Sequence, residues 1–200
     1  MVPLGKKNRP NQLRIIAGQW RGRKLDFVSH DGLRPTTDRI RETLFNWLQP
    51  QIVGARVLDL CAGSGALGLE AASRGAADVV MLDDYLPTIE KIQEHCETLS
   101  ANSINVIHQK AEQYLDDIEN APDSNAVPPF DVIFLDPPFA SKLLQTLLPR
   151  VLSPKILSSS GTVYVESAKA QTIELPDGYD WHRHSIAGDV QFGLVKRIDR

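Results

Sequence analysis

The chain has little cysteine, no long apolar run and no repetition. Its two cysteines, Cys61 and Cys96, make no C-x-x-C or zinc spacing. That excludes a disulfide framework and a structural zinc site, and both read as reduced, buried thiols. No segment approaches membrane-spanning length. The leading "MVPLGKKNRPNQ" is polar and basic and lacks an apolar core. These absences lead to the expectation of a cytoplasmic protein with no membrane partner and no metal. Neither an internal repeat nor a low-complexity tract occurs. At 200 residues and 42% hydrophobic, the chain fits one globular domain with an ordinary core. Its oligomeric state is not legible, and a monomer is expected.

The net charge of −3 hides an asymmetry. Residues 1–56 hold 11 Lys and Arg against 4 Asp and Glu, whereas residues 57–200 hold 11 against 21. An acidic body with a basic leading part suits a polyanionic partner. Residues 1–12 read as a flexible basic leader. In residues 13–41 the basic side chains alternate with apolar ones, which suits a folded surface.

The pattern along the chain sets the expected elements. "LRIIAGQWRGRKLDFV" (Leu13 to Val28) reads as a basic hairpin around Gly18–Gly22. In "GLRPTTDRIRETLFNWLQP", Thr36 or Thr37 caps a helix whose Ile40, Leu44, Trp47 and Leu48 share a face, and Pro50 closes it. From Ala55 strands and helices alternate: "ARVLDL", "GALGLEAASRG", "ADVVMLD", "TIEKIQEHCETL" with Ile89, Ile92, Cys96 and Leu99 inward, "INVIHQ", "AEQYLDDI", "FDVIFLD", "LLQTLLPRVL" and "GTVYVES". A break is expected at Pro149. "WHRHSIAGDVQFGLVKRI" closes as two strands, with His182 and His184 on one face and no role assigned. This alternation predicts an α/β fold with a mostly parallel sheet and ligands at the carboxyl ends of its strands. The expected organisation is a leader (1–12), a hairpin and helix (13–54) and a main domain (55–200).

Two motifs carry chemistry. "VLDLCAGSGALGLEA" sets Gly63, Gly65 and Gly68 between a strand and a helix, the G-x-G-x-x-G spacing. Gly63 and Gly65 admit a ligand close to the backbone, and Gly68 lets the helix pack tightly. Asp83 ends the next strand, where an acid meets ribose hydroxyls of any adenosine cofactor. Asp59, four residues before Gly63, favours S-adenosylmethionine over NAD because it can order the loop and meet an amino group. The second motif is "FDVIFLDPPF", a buried strand ending on an acid, two prolines and a ring. Asp136 and the Pro137 carbonyl can each accept one N–H of an exocyclic amine. That favours the tetrahedral nitrogen of the transition state over the planar one. Phe139 offers a face for a base that is single-stranded or flipped out.

The combination "LRIIAGQWRGRKL", "GLRPTTDRIRETLFNWL", "LDLCAGSGALGLEA" and "FLDPPF" resembles the RsmD family of bacterial 16S ribosomal RNA guanine-N2 methyltransferases, from about Leu13 to the C-terminal hairpin. The resemblance implies a Rossmann-like class I methyltransferase sheet of seven strands, the last antiparallel, after a small N-terminal basic hairpin. It implies S-adenosylmethionine as cofactor, with Asp59, Ala62, Gly63, Ser64, Gly65, Asp83, Asp84 and Ala111 around it. Asp136, Pro137 and Phe139 would form the target-base site. Arg14, Arg21, Arg23, Lys24 and Arg34 would meet phosphates of 16S ribosomal RNA, free or in an assembled small subunit. Lys110 departs from the Asn or Asp of many relatives, and Tyr85 stands in "LDDY" beside the ribose acid. Arg34, Thr36, Thr37 and Arg39 stand at the helix entrance, either near substrate or cofactor or serving only capping and solvation; Trp20 fits either base stacking or holding the hairpin down, and Glu166 could line the cleft. Three rivals stay open: adenine-N6 transfer, an NAD-dependent oxidoreductase, and an RNA-binding module without turnover.

Overall fold

The structure, a computed structural model, describes residues 11–28, 36–122 and 126–198. Two short strands, β1 (Gln12–Arg14) and β2 (Lys24–Asp26), pair antiparallel as a hairpin. Helix α1 (Asp38–Ile52) follows. Then come β3 (Arg56–Asp59), α2 (Ala66–Ser73), β4 (Asp78–Asp83), α3 (Leu86–Leu99), β5 (Ile104–His108), α4 (Ala111–Asn120), β6 (Phe130–Leu135), α5 (Leu143–Val151), β7 (Leu157–Ala168), β8 (Tyr179–Ala187) and β9 (Val190–Arg197).

Strands β3 to β9 make one seven-stranded sheet in the order β5-β4-β3-β6-β7-β9-β8. The first five pair in parallel, and β9 slots antiparallel between β7 and β8. The chain moves outward from β3 to β5, then crosses to the other side of β3 for β6. The β3/β6 seam is therefore the switch point, where the loops after the two strands part and leave a crevice. Two apolar clusters cover the sheet. Leu44, Phe45, Leu69, Ile92 and Phe134 belong to the face under α1, α2 and α3. Leu115, Leu147, Leu148 and Ile133 belong to the face under α4 and α5.

Helix α1 starts at Thr37, whose hydroxyl accepts the Ile40 N–H at 3.4 Å, with Asp38 in the first turn. It does not stop at Pro50 but runs to Ile52, and α5 likewise runs through Pro149. Both prolines sit on exposed faces near helix ends, where the unbonded carbonyl of the preceding turn can meet water. The buried face of α1 also holds Arg41 and Phe45, while Trp47 is only half-buried and stacks on Phe192 at 5.5 Å. On α3 the inward positions include Thr88 and His95, with Cys96 half-buried. An extra residue at His182 shifts the β8 register and sets His184 against Trp181, so the two histidines do not simply alternate.

The N-terminal hairpin docks on α2 through a buried carboxylate. Glu70 is fully buried; its oxygens accept the Ile16 N–H at 2.7 Å and the Ala17 N–H at 3.0 Å. Arg74 donates to it at 2.6 Å, and the buried Arg41 guanidinium lies 3.9 Å away. Ser73 adds a second tie: its hydroxyl donates to the Ala17 carbonyl and accepts the Trp20 N–H. At Gly18, φ is +82° and a Cβ would fall 1.8 Å from the Ser73 carbonyl oxygen, so only glycine fits. Trp20 is buried in the same core, which assigns it to holding the hairpin down.

Removing Glu70 leaves Arg41 buried beside no acid of its own depth and frees two backbone donors. Glu70→Ala is expected to cost about 3–5 kcal/mol in urea unfolding, with faster amide exchange at Ile16 and Ala17. A loss under about 1 kcal/mol would assign the docking to apolar contacts alone.

Candidate active site

The carboxyl ends of β3, β4, β5 and β6 surround a cleft of about 380 Å³. Register explains why. Asp59 on β3 stands opposite Phe134 on β6 and opposite Met81 on β4. The chain leaving β3 stays tied to both neighbours, through Leu60 N–H to the Phe134 carbonyl (3.2 Å) and Ala62 N–H to the Leu82 carbonyl (2.8 Å). The glycine turn and the acid-proline turn thus open onto one space.

Most of the expected site residues line it: Asp59, Ala62, Gly63, Ser64, Asp83, Asp84 and Ala111 on one side, Asp136, Pro137 and Phe139 on the other. Gly65 does not. It caps α2 with φ +78°, donates to the Ala62 carbonyl at 2.7 Å, and makes room for Leu69 and Ile92. Gly68 admits the helix to the sheet as expected, since a Cβ there would lie 2.5 Å from the Met81 sulfur. Tyr85 is exposed and lies outside the lining, whereas Lys110 and Glu112 are part of it. Arg14, Arg21, Arg23 and Lys24 are exposed on the hairpin and do not line the cleft. The hairpin sits on Glu70 and Ser73 of α2, the helix whose first residue, Ala66, lines the cleft. Arg34 lies outside the described residues.

The acids of the cleft have distinct settings. Asp83 holds the turn: one oxygen accepts the Gly63 N–H at 2.8 Å, the other the Tyr85 N–H at 2.9 Å. Asp59 is buried and accepts the Gly68 N–H at 3.0 Å, three residues into the helix. Burial pushes its carboxyl up to about 7; the Gly68 N–H opposes this and the charge of Asp83 adds to it. Asp136 keeps part of its surface open to the cleft, and Thr36 donates to it at 3.0 Å. Burial raises its carboxyl well above the usual range, helped by the nearby Glu166 and Asp59 and opposed by the Thr36 hydroxyl. Cys61, also in the lining, is kept a neutral thiol, chiefly by burial and then by the charge of Asp59.

Sequence reasoning missed Cys61 and Glu112, whereas Thr36, expected at the helix entrance near substrate or cofactor, does line the cleft and bonds Asp136. Glu166 is buried but outside the lining. No spacing rule signals Cys61 or Glu112, because each reaches the site through a different element. The donor set suits a cationic adenosine cofactor: four carboxylates (Asp59, Asp83, Asp84 and Glu112) share the wall with the glycine turn, and Ala111 opens α4 beside them.

The sheet with its inserted antiparallel β9, together with this acid-lined cleft at its switch point, defines a class I S-adenosylmethionine-dependent methyltransferase. The chain belongs to the family described as Conserved hypothetical protein 95, which matches residues 13–196, and this is the RsmD family that its motifs resemble. It is 40% identical over 187 residues to Ribosomal RNA small subunit methyltransferase D of Escherichia coli (strain K12), spanning 93% of this chain and 90% of that one. The protein of that name from Haemophilus influenzae is 38% identical over 198 residues, 98% of this chain and all of the relative. The solved structure of yhhF from Escherichia coli superposes with a TM-score of 0.81 at 40% identity, covering 94% of this chain and 98% of that one. HI0767 from Haemophilus influenzae gives 0.76 at 34%, covering 94% and 100%.

The raised Asp59 carboxyl has a consequence for stability. Between about pH 4 and 7 the folded protein holds a proton that the unfolded chain has released, so stability falls as pH rises through this window. Asp136 acts in the same direction. Asp59→Asn, which keeps an acceptor for Gly68, is expected to flatten the fall in melting temperature of the cofactor-free protein from pH 5 to 8. An unchanged slope would mean that Asp59 titrates near its ordinary value.

Proposed function

We propose that this protein methylates the exocyclic N2 amine of a guanine in the 16S ribosomal RNA of the small ribosomal subunit. The observation that carries this reading is the single cleft shared by the glycine turn at Gly63 and the acid-proline turn at Asp136. The RNA class rests on the relatives named for the small ribosomal subunit. The amine chemistry rests on the acceptors at the tip of β6.

When bound, S-adenosylmethionine supplies a methyl group on a sulfonium, whose leaving electron pair stays on sulfur. Asp59, Ala62, Gly63 and Ser64 would hold its methionine part, Asp83 and Asp84 its ribose, and Ala111 its adenine edge. The acids also match the positive charge of the donor, which its neutral thioether product lacks, so charge favours substrate over product in this cleft. Asp136 and the Pro137 carbonyl take the two N–H groups of the amine and draw the nitrogen out of conjugation with the ring. Neither proline offers a competing N–H. Phe139, packed against the core on one side and open to the cleft on the other, orients the base by stacking. In-line placement then carries most of the rate.

Residues 13–54 act as the RNA-positioning part of the molecule. The exposed Arg14, Arg21, Arg23 and Lys24 bind phosphates and position the strand without reading its sequence. Their rigidity comes from the Glu70 and Ser73 ties, so phosphate contacts on the hairpin are transmitted to the helix that borders the cofactor.

Asp136→Ala is expected to keep cofactor affinity within about twofold and to reduce methylation at least about 10³-fold. Equilibrium binding and labelled methyl transfer to naked 16S RNA or small subunits read the two quantities, and mass spectrometry of the nucleosides identifies the base. Methylated adenosine in place of N2-methylguanosine would overturn the substrate. Neutralising Arg21, Arg23 and Lys24 together is expected to weaken RNA binding and to lower its salt slope by about two to three; an unchanged slope removes the hairpin from the interface.

A further inference from the structure

Thr36 stands just ahead of α1, but it does not cap the helix. Thr37 does, its hydroxyl accepting the Ile40 N–H. The Thr36 side chain is turned to another use. It is buried, lines the cleft with Asp136, Pro137 and Phe139, and donates to the Asp136 Oδ2 at 3.0 Å. A hydroxyl has one hydrogen and two lone pairs. The bond favours the ionised carboxylate, and with its hydrogen given to Asp136, Thr36 offers a ligand only an acceptor.

The turn at the end of β6 has the same character. Pro137 and Pro138 carry no N–H. The Pro138 carbonyl is taken by Ser141, which gives it an N–H at 2.9 Å and a hydroxyl at 2.7 Å. The Asp136 Oδ1 and the Pro137 carbonyl receive no hydrogen bond from any described residue. Three acceptors therefore border one space: Asp136 Oδ1, the Pro137 carbonyl and the Thr36 Oγ. Among the four RNA bases, only guanine carries a ring N–H beside its exocyclic amine. Its N2 amine and N1–H present three hydrogens on one edge. Adenine sets a bare N1 beside its N6 amine, and cytosine a bare N3 beside its N4 amine.

We propose that Thr36 is a specificity-determining residue, its Oγ accepting the N1–H of the target guanine while Asp136 and Pro137 hold the N2 amine. The inference deepens the function proposed above and rests on it. The acid-proline turn alone suits any amine with two hydrogens. The choice among bases then falls to a residue a hundred positions earlier in the chain. A flipped-out base is read on its Watson–Crick edge. With adenine or cytosine in place, lone pair would meet lone pair at Thr36, and its acceptor would go unpaired. The same hydroxyl steadies the Asp136 carboxylate by holding Oδ2, which leaves Oδ1 for the amine.

The test compares guanine with 2-aminopurine, which keeps the amine at C2 but has a bare N1. Mass spectrometry first locates the methylated nucleoside in 16S RNA, free or in small subunits. Splinted ligation then places 2-aminopurine at that position. The unmutated protein is expected to favour guanine about 10³-fold in kcat/KM. Thr36→Val, which keeps the shape and removes the hydroxyl, is expected to slow the guanine reaction and to bring the preference within about tenfold. Thr36→Ser is expected to restore most of it, and Thr36→Ala is the second variant should valine disturb the packing. Loosening of Asp136 slows both substrates alike and cancels in the ratio, so the ratio reads the contact with N1–H. With N2-methylguanosine as product, a guanine preference below about threefold, or one that loss of the hydroxyl leaves unchanged, overturns the inference and leaves the substrate reading standing. A methylated adenosine as product overturns that reading and the inference with it.

Discussion

The pairing of β3 with β6 is the constraint on which the rest depends. Three residue pairs, ending with Asp59 opposite Phe134, join strands that are far apart in the chain. The pairing sets the glycine turn beside the acid-proline turn, and one more bond, from Leu60 to the Phe134 carbonyl, holds the loop in line as it leaves the sheet. A slip by one residue would turn every side chain of β6 to the other face. Asp136 would then point into the apolar layer of Ile133 and Leu135, and the cleft would lose its acceptor.

Electrostatic tension builds on that geometry. The cleft gathers carboxylates at the end of a sheet whose neighbours are apolar, and burial raises the proton affinity of Asp59 and Asp136. Backbone donors offset part of this cost. Gly68 and Gly63 each give an N–H to an acid, so the glycine turn and its helix are held by the charges they surround. A cationic methyl donor held in this cleft would relieve the same tension and so couple its uptake to the ionisation of the acids. Deeper in the molecule, Glu70 solves a similar problem differently. Arg74 and the more distant Arg41 share its charge, and it spends its oxygens on docking a hairpin instead of on chemistry.

How far the sequence could be read follows the range of the forces involved. The glycine turn, Asp83 and the acid-proline turn were legible because each is a local pattern with a local cause. The hairpin was legible from Gly18–Gly22 between two apolar runs, but its anchor was not, since Glu70 looks like any helical glutamate until Ile16 and Ala17 arrive. Pro50 misled because a helix stop and a tolerated proline in the last turn have the same sequence signature. Gly65, one of the motif's glycines, proved to serve the turn and helix packing more than the cleft wall. The β8 shift at His182 left no mark in the pattern of alternation.

By itself, then, the chain's order of residues determined the alternation of strands and helices, the two turns that border the cleft, and the basic surface of the hairpin. All three arise from periodicity and backbone preference within a few residues. Only the tertiary structure decided which strand ends meet, that Thr36 reaches Asp136 across a hundred positions, and that a buried carboxylate ties the hairpin to α2. Those contacts depend on register and burial, which no single segment encodes, because the free energy that selects them belongs to pairs of segments brought together from far apart.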